Sequence, residues 1–194
     1  MFITIVSAIL AIAIAIFGGA ASVWYALDVE HGFGSQTVGV WTSYPDLGSS
    51  ESDPYSKARV AREGILVLGR AEGLTFAAST DSSGEGLRRE CTYVIEGTIP
   101  QARFWTLFAA DAALTPITNP FVRPAAVQSQ AVLRLPGNGV SVTVSPHASP
   151  GNWLETSGKG EAVIVLTLYD TSLTGGKNLS DIELPQVLRK DCDA

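Results

Sequence analysis

Hydrophobic and polar positions divide the chain sharply near its start. Met1 to Leu27 reads MFITIVSAILAIAIAIFGGAASVWYAL, and the first charged side chain is Asp28. A helix rises about 1.5 Å per residue, so roughly 20 apolar residues cross a bilayer core of about 30 Å. The run satisfies that length even with tilt. Backbone groups in lipid must bond to one another, so a helix is predicted despite the β-branched isoleucines. Trp24 and Tyr25 stand where the run meets charge, as interfacial aromatics do.

Past this run the pattern changes to that of a water-facing domain. Residues 28–52 are rich in Gly, Ser and Pro and read as a tether, within which Val38 to Trp41 can dock as an edge strand. Asp53-Pro54 then combines an N-cap residue with a proline suited to the first helical position. Tyr55, Ala58, Ala61, Ile65 and Leu68 recur at helical spacing, with Lys57, Arg59, Arg62 and Glu63 between them, and Gly69 ends the pattern. This predicts one soluble helix whose apolar face lies against a sheet.

From Leu74 onward the rhythm is strand and turn. LTFAAS is a short strand, and RECTYVIEG places Cys91, Tyr93 and Ile95 on one face. QARFWTLFAAD follows Pro100. AVQSQAVLRL and GVSVTVSP are expected to form a hairpin through Pro136-Gly137-Asn138-Gly139. SPHASPGNWLET reads as a long loop, EAVIVLTLYD as the central strand, and LPQVLRKDCDA closes the chain. Many short strands with one helix predict a mainly β fold, a β-sandwich. The expected organisation is a transmembrane anchor at 1–27, a linker at 28–52 and a sandwich domain at 53–194.

Composition narrows the function classes. Of 194 residues about 165 lie beyond the anchor, enough for one domain with a sizeable core. The net charge of −6 and the absence of a basic patch argue against nucleic acid. The apolar run lacks a basic leader and outlasts the roughly 7–15 apolar residues of a secretory signal. Ala20-Ala21-Ser22 keeps a cleavage site open as the competing reading. Beyond the run the nearest basic side chain is Lys57, so nothing basic holds that side in the cytoplasm. The expected placement is the bacterial inner membrane, N-terminus cytoplasmic and C-terminal domain periplasmic. In that oxidising compartment Cys91 and Cys192 are expected to form a disulfide.

Candidate chemistry is sparse. Ser7, Ala11, Ala15 and Gly19 recur every four residues and would let a second helix approach closely. His147 is flanked by Ser145 and Ser149, but no GxSxG elbow accompanies them. The carboxylates Asp111, Glu155, Glu161 and Asp170 have no spacing that selects a glycosidase pair. Asn152 and Trp153, with His147, form a possible ligand loop: an indole can stack on a sugar ring while an amide bonds its hydroxyls. The other reading is that Trp153 plugs the end of the sandwich and Asn152 caps the turn. Trp105 is expected in the core, and Arg103 is expected to pair with a carboxylate. No metal-ligand spacing or cofactor motif is present, so no cofactor is expected.

Several pieces, in order, resemble a bacterial family known as domain of unknown function 1214. They are Pro100 before Phe104-Trp105-Thr106-Leu107, Asn119-Pro120 with Arg123, and Gly139 to Pro146. Pro150-Gly151-Asn152-Trp153-Leu154, Leu166-Thr167-Leu168-Tyr169 and Pro185 complete the series, and Asp53-Pro54-Tyr55 resembles an upstream piece. Glu155 departs from the proline usual after NWL. The resemblance implies a jelly-roll-like sandwich and association with a second domain of unknown function, expected here as a separate polypeptide. It transfers no catalytic residue. The resulting expectation is a membrane-anchored accessory or interaction subunit with no chemistry of its own. The alternatives are a carbohydrate- or lipid-binding module and an enzyme with an unrecognised site.

Overall fold

The computed structural model describes residues 2–25, 34–63, 67–69, 71–117, 125–174, 179 and 182–192. Its first element is α1 (Phe2–Trp24), with no buried residue among its 23. It is long and apolar enough to cross a membrane. Ser7, Ala11, Ala15 and Gly19 are all exposed along it.

The remainder is a mainly β, jelly-roll-like sandwich of two sheets. Ten strands are described: β1 (Gln36–Val38), β2 (Trp41–Ser43), β3 (Gly73–Ala78), β4 (Cys91–Gly97), β5 (Ala102–Ala110), β6 (Val127–Gln128), β7 (Val140–Ser145), β8 (Asn152–Glu155), β9 (Val163–Thr171) and β10 (Gln186–Cys192). One sheet runs β1-β2-β3-β9-β5-β6, the other β10-β4-β7-β8. The chain changes sheet between β3 and β4, β4 and β5, β6 and β7, β8 and β9, and β9 and β10. The core lies between the layers. Leu74, Phe76, Trp105, Leu107, Ile164, Leu166 and Leu168 from the larger sheet meet Tyr93, Ile95, Val140, Val142, Leu154 and Val187 from the smaller. Alternation explains the choice: Cys91, Tyr93 and Ile95 are all buried while Thr92 and Val94 between them are half-buried.

The strand predicted in EAVIVLTLYD (161–170) is β9, and it is central, between β3 and β5. Trp105 is 3% exposed and belongs to the core. Arg103 pairs with Asp170 at 3.2 Å, across two exposed strand ends. Cys91 and Cys192 are disulfide-bonded where β4 and β10 lie in register, across a sequence separation of 101.

Other expectations change. The segment 28–52 is not all tether. Its β1–β2 hairpin extends the larger sheet, and Trp41 is buried with its indole N–H donating to Pro185 O at 2.7 Å. The soluble helix α2 spans Pro54–Glu63 and stops short of the predicted end; Ile65 lies outside the described residues. Asp53 caps it through bonds from the Tyr55 and Ser56 N–H groups. Its apolar periodicity misassigns the buried face. Tyr55, Ala58 and Ala61 are exposed, while Ser52 and Ser56, one turn apart, are buried.

The predicted hairpin through Pro136–Gly139 is not one. Its first arm contributes β6 to the larger sheet, beside β5, and its second arm is β7 in the smaller sheet. A single bridge, Arg134 to Val140, joins them. The positive φ of Gly137 (77°) and Asn138 (65°) makes the tight turn, but the chain has already turned at 128–131, where Ala131 N–H donates to Gln128 O. The expected long loop at 145–156 contains β8, which pairs parallel to β7 with Trp153 opposite Thr143.

Candidate functional site

Strand alternation turns half of the larger sheet away from the core, and register aligns those outward side chains in rows. Phe104 and Tyr169 form one row, with ring centroids 5.7 Å apart. Gln128, Thr106, Thr167 and Thr75 form the next, with Thr75 and Thr167 hydroxyls 3.3 Å apart. The third is Phe108, Val165, Ala77, Thr42 and Thr37. Ala110 and Val163 form a fourth. No position in these rows carries a charge.

That composition differs from an ordinary outward face. One-sided sheets alternate apolar-inward and polar-outward, whereas strands covered on both faces read as continuous apolar runs. β9 reads VIVLTLYDT and belongs to the second kind. Val165 is 2% exposed although it points away from the core, and Phe108 and Ala77 flank it in the row. Phe104, Phe108 and Tyr169 are half-buried.

The candidate ligand loop is spent on internal bonds. Asn152 Oδ1 accepts the Leu133 N–H at 2.7 Å. Its Nδ2 donates to Leu133 O at 2.8 Å and to Ser141 O at 2.9 Å. Both amide hydrogens are therefore committed. The Trp153 indole N–H donates to Ser145 O at 3.0 Å, and the ring is half-buried on the outer face of the smaller sheet. His147 is exposed, and its main-chain N–H donates to Ser145 Oγ. Ser145 Oγ also meets Thr92 Oγ1 at 2.9 Å, so this buried hydroxyl sits in a structural pair. Glu155 Oε2 is buried with no hydrogen-bond partner among the described residues. Asp111 accepts the N–H groups of Ala113 and Thr115 and closes a turn.

The strongest electrostatic features are structural. Buried Asp81 accepts from the Ser83 hydroxyl and from the Ser83 and Glu85 N–H groups, and it pairs with Arg189 at 2.8 Å. Burial acts to raise its pKa, but those hydrogen bonds and the guanidinium outweigh it and hold the carboxyl below its ordinary value. Arg189 also stands over the Tyr93 ring. Glu90, bonded by its own N–H, the Gly160 N–H and Arg88, is lowered to about 2. Among the described residues no group of three or more His, Cys, Asp or Glu side chains could hold a metal ion.

The family model "Protein of unknown function (DUF1214)" matches residues 72–173, more than half the chain. The chain belongs to this family. The DUF1214 match opens just before β3 and closes after β9, so it takes in β3, β5 and β9, the strands at the centre of the uncharged rows. The family's NP-x-x-R piece (Asn119, Pro120, Arg123) lies outside the described residues.

Among solved structures, the VPA0106 protein from Vibrio parahaemolyticus shares the fold at TM-score 0.57 and 15% identity, over 73% of this chain. An uncharacterized protein from Burkholderia cenocepacia matches 61% of the chain at 15% identity and TM-score 0.43. The chain spans 36% of the first structure's length and 29% of the second's. No curated protein matches it.

Proposed function

We propose that this DUF1214 protein is a membrane-anchored envelope subunit that acts by holding another polypeptide against the outer face of its larger sheet. The observation that carries the reading is the uncharged face across β3, β9 and β5. A partner presenting a flat apolar surface would cover Phe104, Phe108 and Tyr169 and meet the threonine row with hydroxyl-compatible groups. In the fold relative from Vibrio parahaemolyticus the matched region is 36% of a longer chain, so there the fold occurs together with further polypeptide.

The proposed address is the inner membrane, with α1 spanning it, the N-terminus in the cytoplasm and the sandwich in the periplasm. Support comes from α1 itself and from the disulfide, which belongs in an oxidising compartment. The Ser7/Ala11/Ala15/Gly19 face of α1 is the proposed second contact with the partner.

The test is co-purification from detergent-solubilised membranes. A species retained by the native chain should be lost on Thr75→Arg and Thr106→Arg, and kept on Thr143→Arg, which charges the opposite sheet. Thermal melts of the three variants should match the native chain. A native chain that elutes as a lone monomer, or equal retention by all three variants, sinks the proposal.

A further inference from the structure

We infer that the loop carrying Leu133 and Leu135 rests on the bilayer into which α1 inserts, so the sandwich is held at the lipid surface in a defined orientation. The inference rests on reading α1 as a membrane anchor, and on where the chain enters the sandwich.

Register fixes that entry point. Gln36 opens β1 opposite Ser43, and Ser43 lies opposite Phe76. Tracing backward from Gln36, the chain leaves the larger sheet toward the end that holds Gly73, Thr171 and Ala102. Leaving β6, the chain heads toward that same end, since Ser129 N–H donates to Trp105 O. Gly97 of β4 and Ala102 of β5 are joined by four residues, so the smaller sheet places Gly97 and its partner Val140 there as well. The loop between β6 and β7 therefore sits at the end where the chain arrives from α1. Nine peptide steps separate Tyr25 from Gly34 and span at most roughly 30 Å. The loop is thus within reach of the membrane surface, while the opposite end is farther by a nine-residue strand, about 30 Å.

The loop is built to present apolar groups. Beyond Tyr25, four large hydrophobic side chains are exposed among the described residues, and two are on this loop: Leu133 at 66% and Leu135 at 43%. Leu135 is extended and Arg134 bridges Val140, so the two leucines, two residues apart, project to one side. Arg134, between them, is bonded to Asn138 Oδ1 at 2.7 Å. Asn152 clamps both main-chain groups of Leu133. The leucines are held outward by a fixed backbone, and an adjoining lipid surface is the environment that removes their area from water.

Site-specific probes on the full chain, in phosphatidylcholine vesicles containing shallow nitroxide-labelled lipid, test this. A fluorophore on Leu133→Cys should be quenched several-fold more than one on Leu114→Cys, an exposed leucine after β5 at the far end. A probe on Phe17→Cys reports the anchor. Equal signals at 133 and 114 with Phe17 quenched would overturn the loop contact alone. An unquenched probe at Phe17 would overturn the anchor, and the loop contact with it.

Discussion

The side-chain amide of Asn152 pairs with Leu133 as a β-strand neighbour would, taking its N–H at 2.7 Å and giving a proton to its C=O at 2.8 Å. One side chain thereby fastens the β6–β7 loop to β8, nineteen residues away in sequence. Asn152→Ala is expected to destabilise the sandwich by about 1–3 kcal/mol, the cost of leaving such groups unpaired. Asn152→Asp should cost more, because its second oxygen would face the carbonyls of Leu133 and Ser141. Thermal melts check both; native-like melting of the aspartate variant would refute the clamp.

Trp41 tests where the folded unit begins. It is 1% exposed and its indole N–H reaches Pro185 O. Trp41→Ala should cost about 3–5 kcal/mol, as for other buried aromatics, and Trp41→Phe roughly 1–2 kcal/mol. Denaturant unfolding of both variants decides it. If the segment were a mere tether, neither change would move the midpoint.

The Cys91–Cys192 bond closes a long loop and ties edge strand β10 to β4. In the chain-entropy model a loop of this length contributes on the order of 4–5 kcal/mol. Reduction, or the Cys91→Ala/Cys192→Ala pair, should lower the melting temperature by roughly 10 °C or more. Unreduced protein should take up no alkylating reagent at either cysteine. Labelling at both would contradict the bond.

Acid should unfold the protein through its depressed carboxylates. Asp53, Asp81 and Glu90 all hold pKa values below their ordinary ones, for Asp53 chiefly through its bond with the Ser56 side chain. A carboxylate with a lowered folded-state pKa binds fewer protons folded than unfolded. Its contribution is complete above the unfolded value and is lost as pH falls toward the folded one. For Glu90 that window runs from 4.5 down to about 2. Stability measured by melts should be flat from pH 7 to about 5 and then fall steadily. Asp81→Asn, which keeps the shape but weakens the pairing with Arg189, should flatten part of that fall.

Local pattern alone determined a good deal here. A run of 27 uncharged residues predicts α1, a helix long and apolar enough to cross a membrane, since a lone span in lipid satisfies its backbone only as a helix. Alternation at 91–97 and the apolar run at 163–171 mark strands and even the central one, since burial on one face or two is written in a strand's own residues. The cysteine pair and the family motifs were equally legible. What tertiary structure decided depends on partners far away in sequence. Pro136–Gly139 looks like a hairpin turn, yet its arms enter different sheets, because Val127 pairs with Leu107 and Val140 with Gly97. Asn152 and Trp153 have the chemistry of a sugar site, and only the fold shows their hydrogens turned inward to Leu133, Ser141 and Ser145. The threonine row exists only once register sets Thr75, Thr167 and Thr106 side by side. Each strand's sequence specifies its two faces, but a surface is assembled across strands, and which strands adjoin is settled by contacts between distant segments.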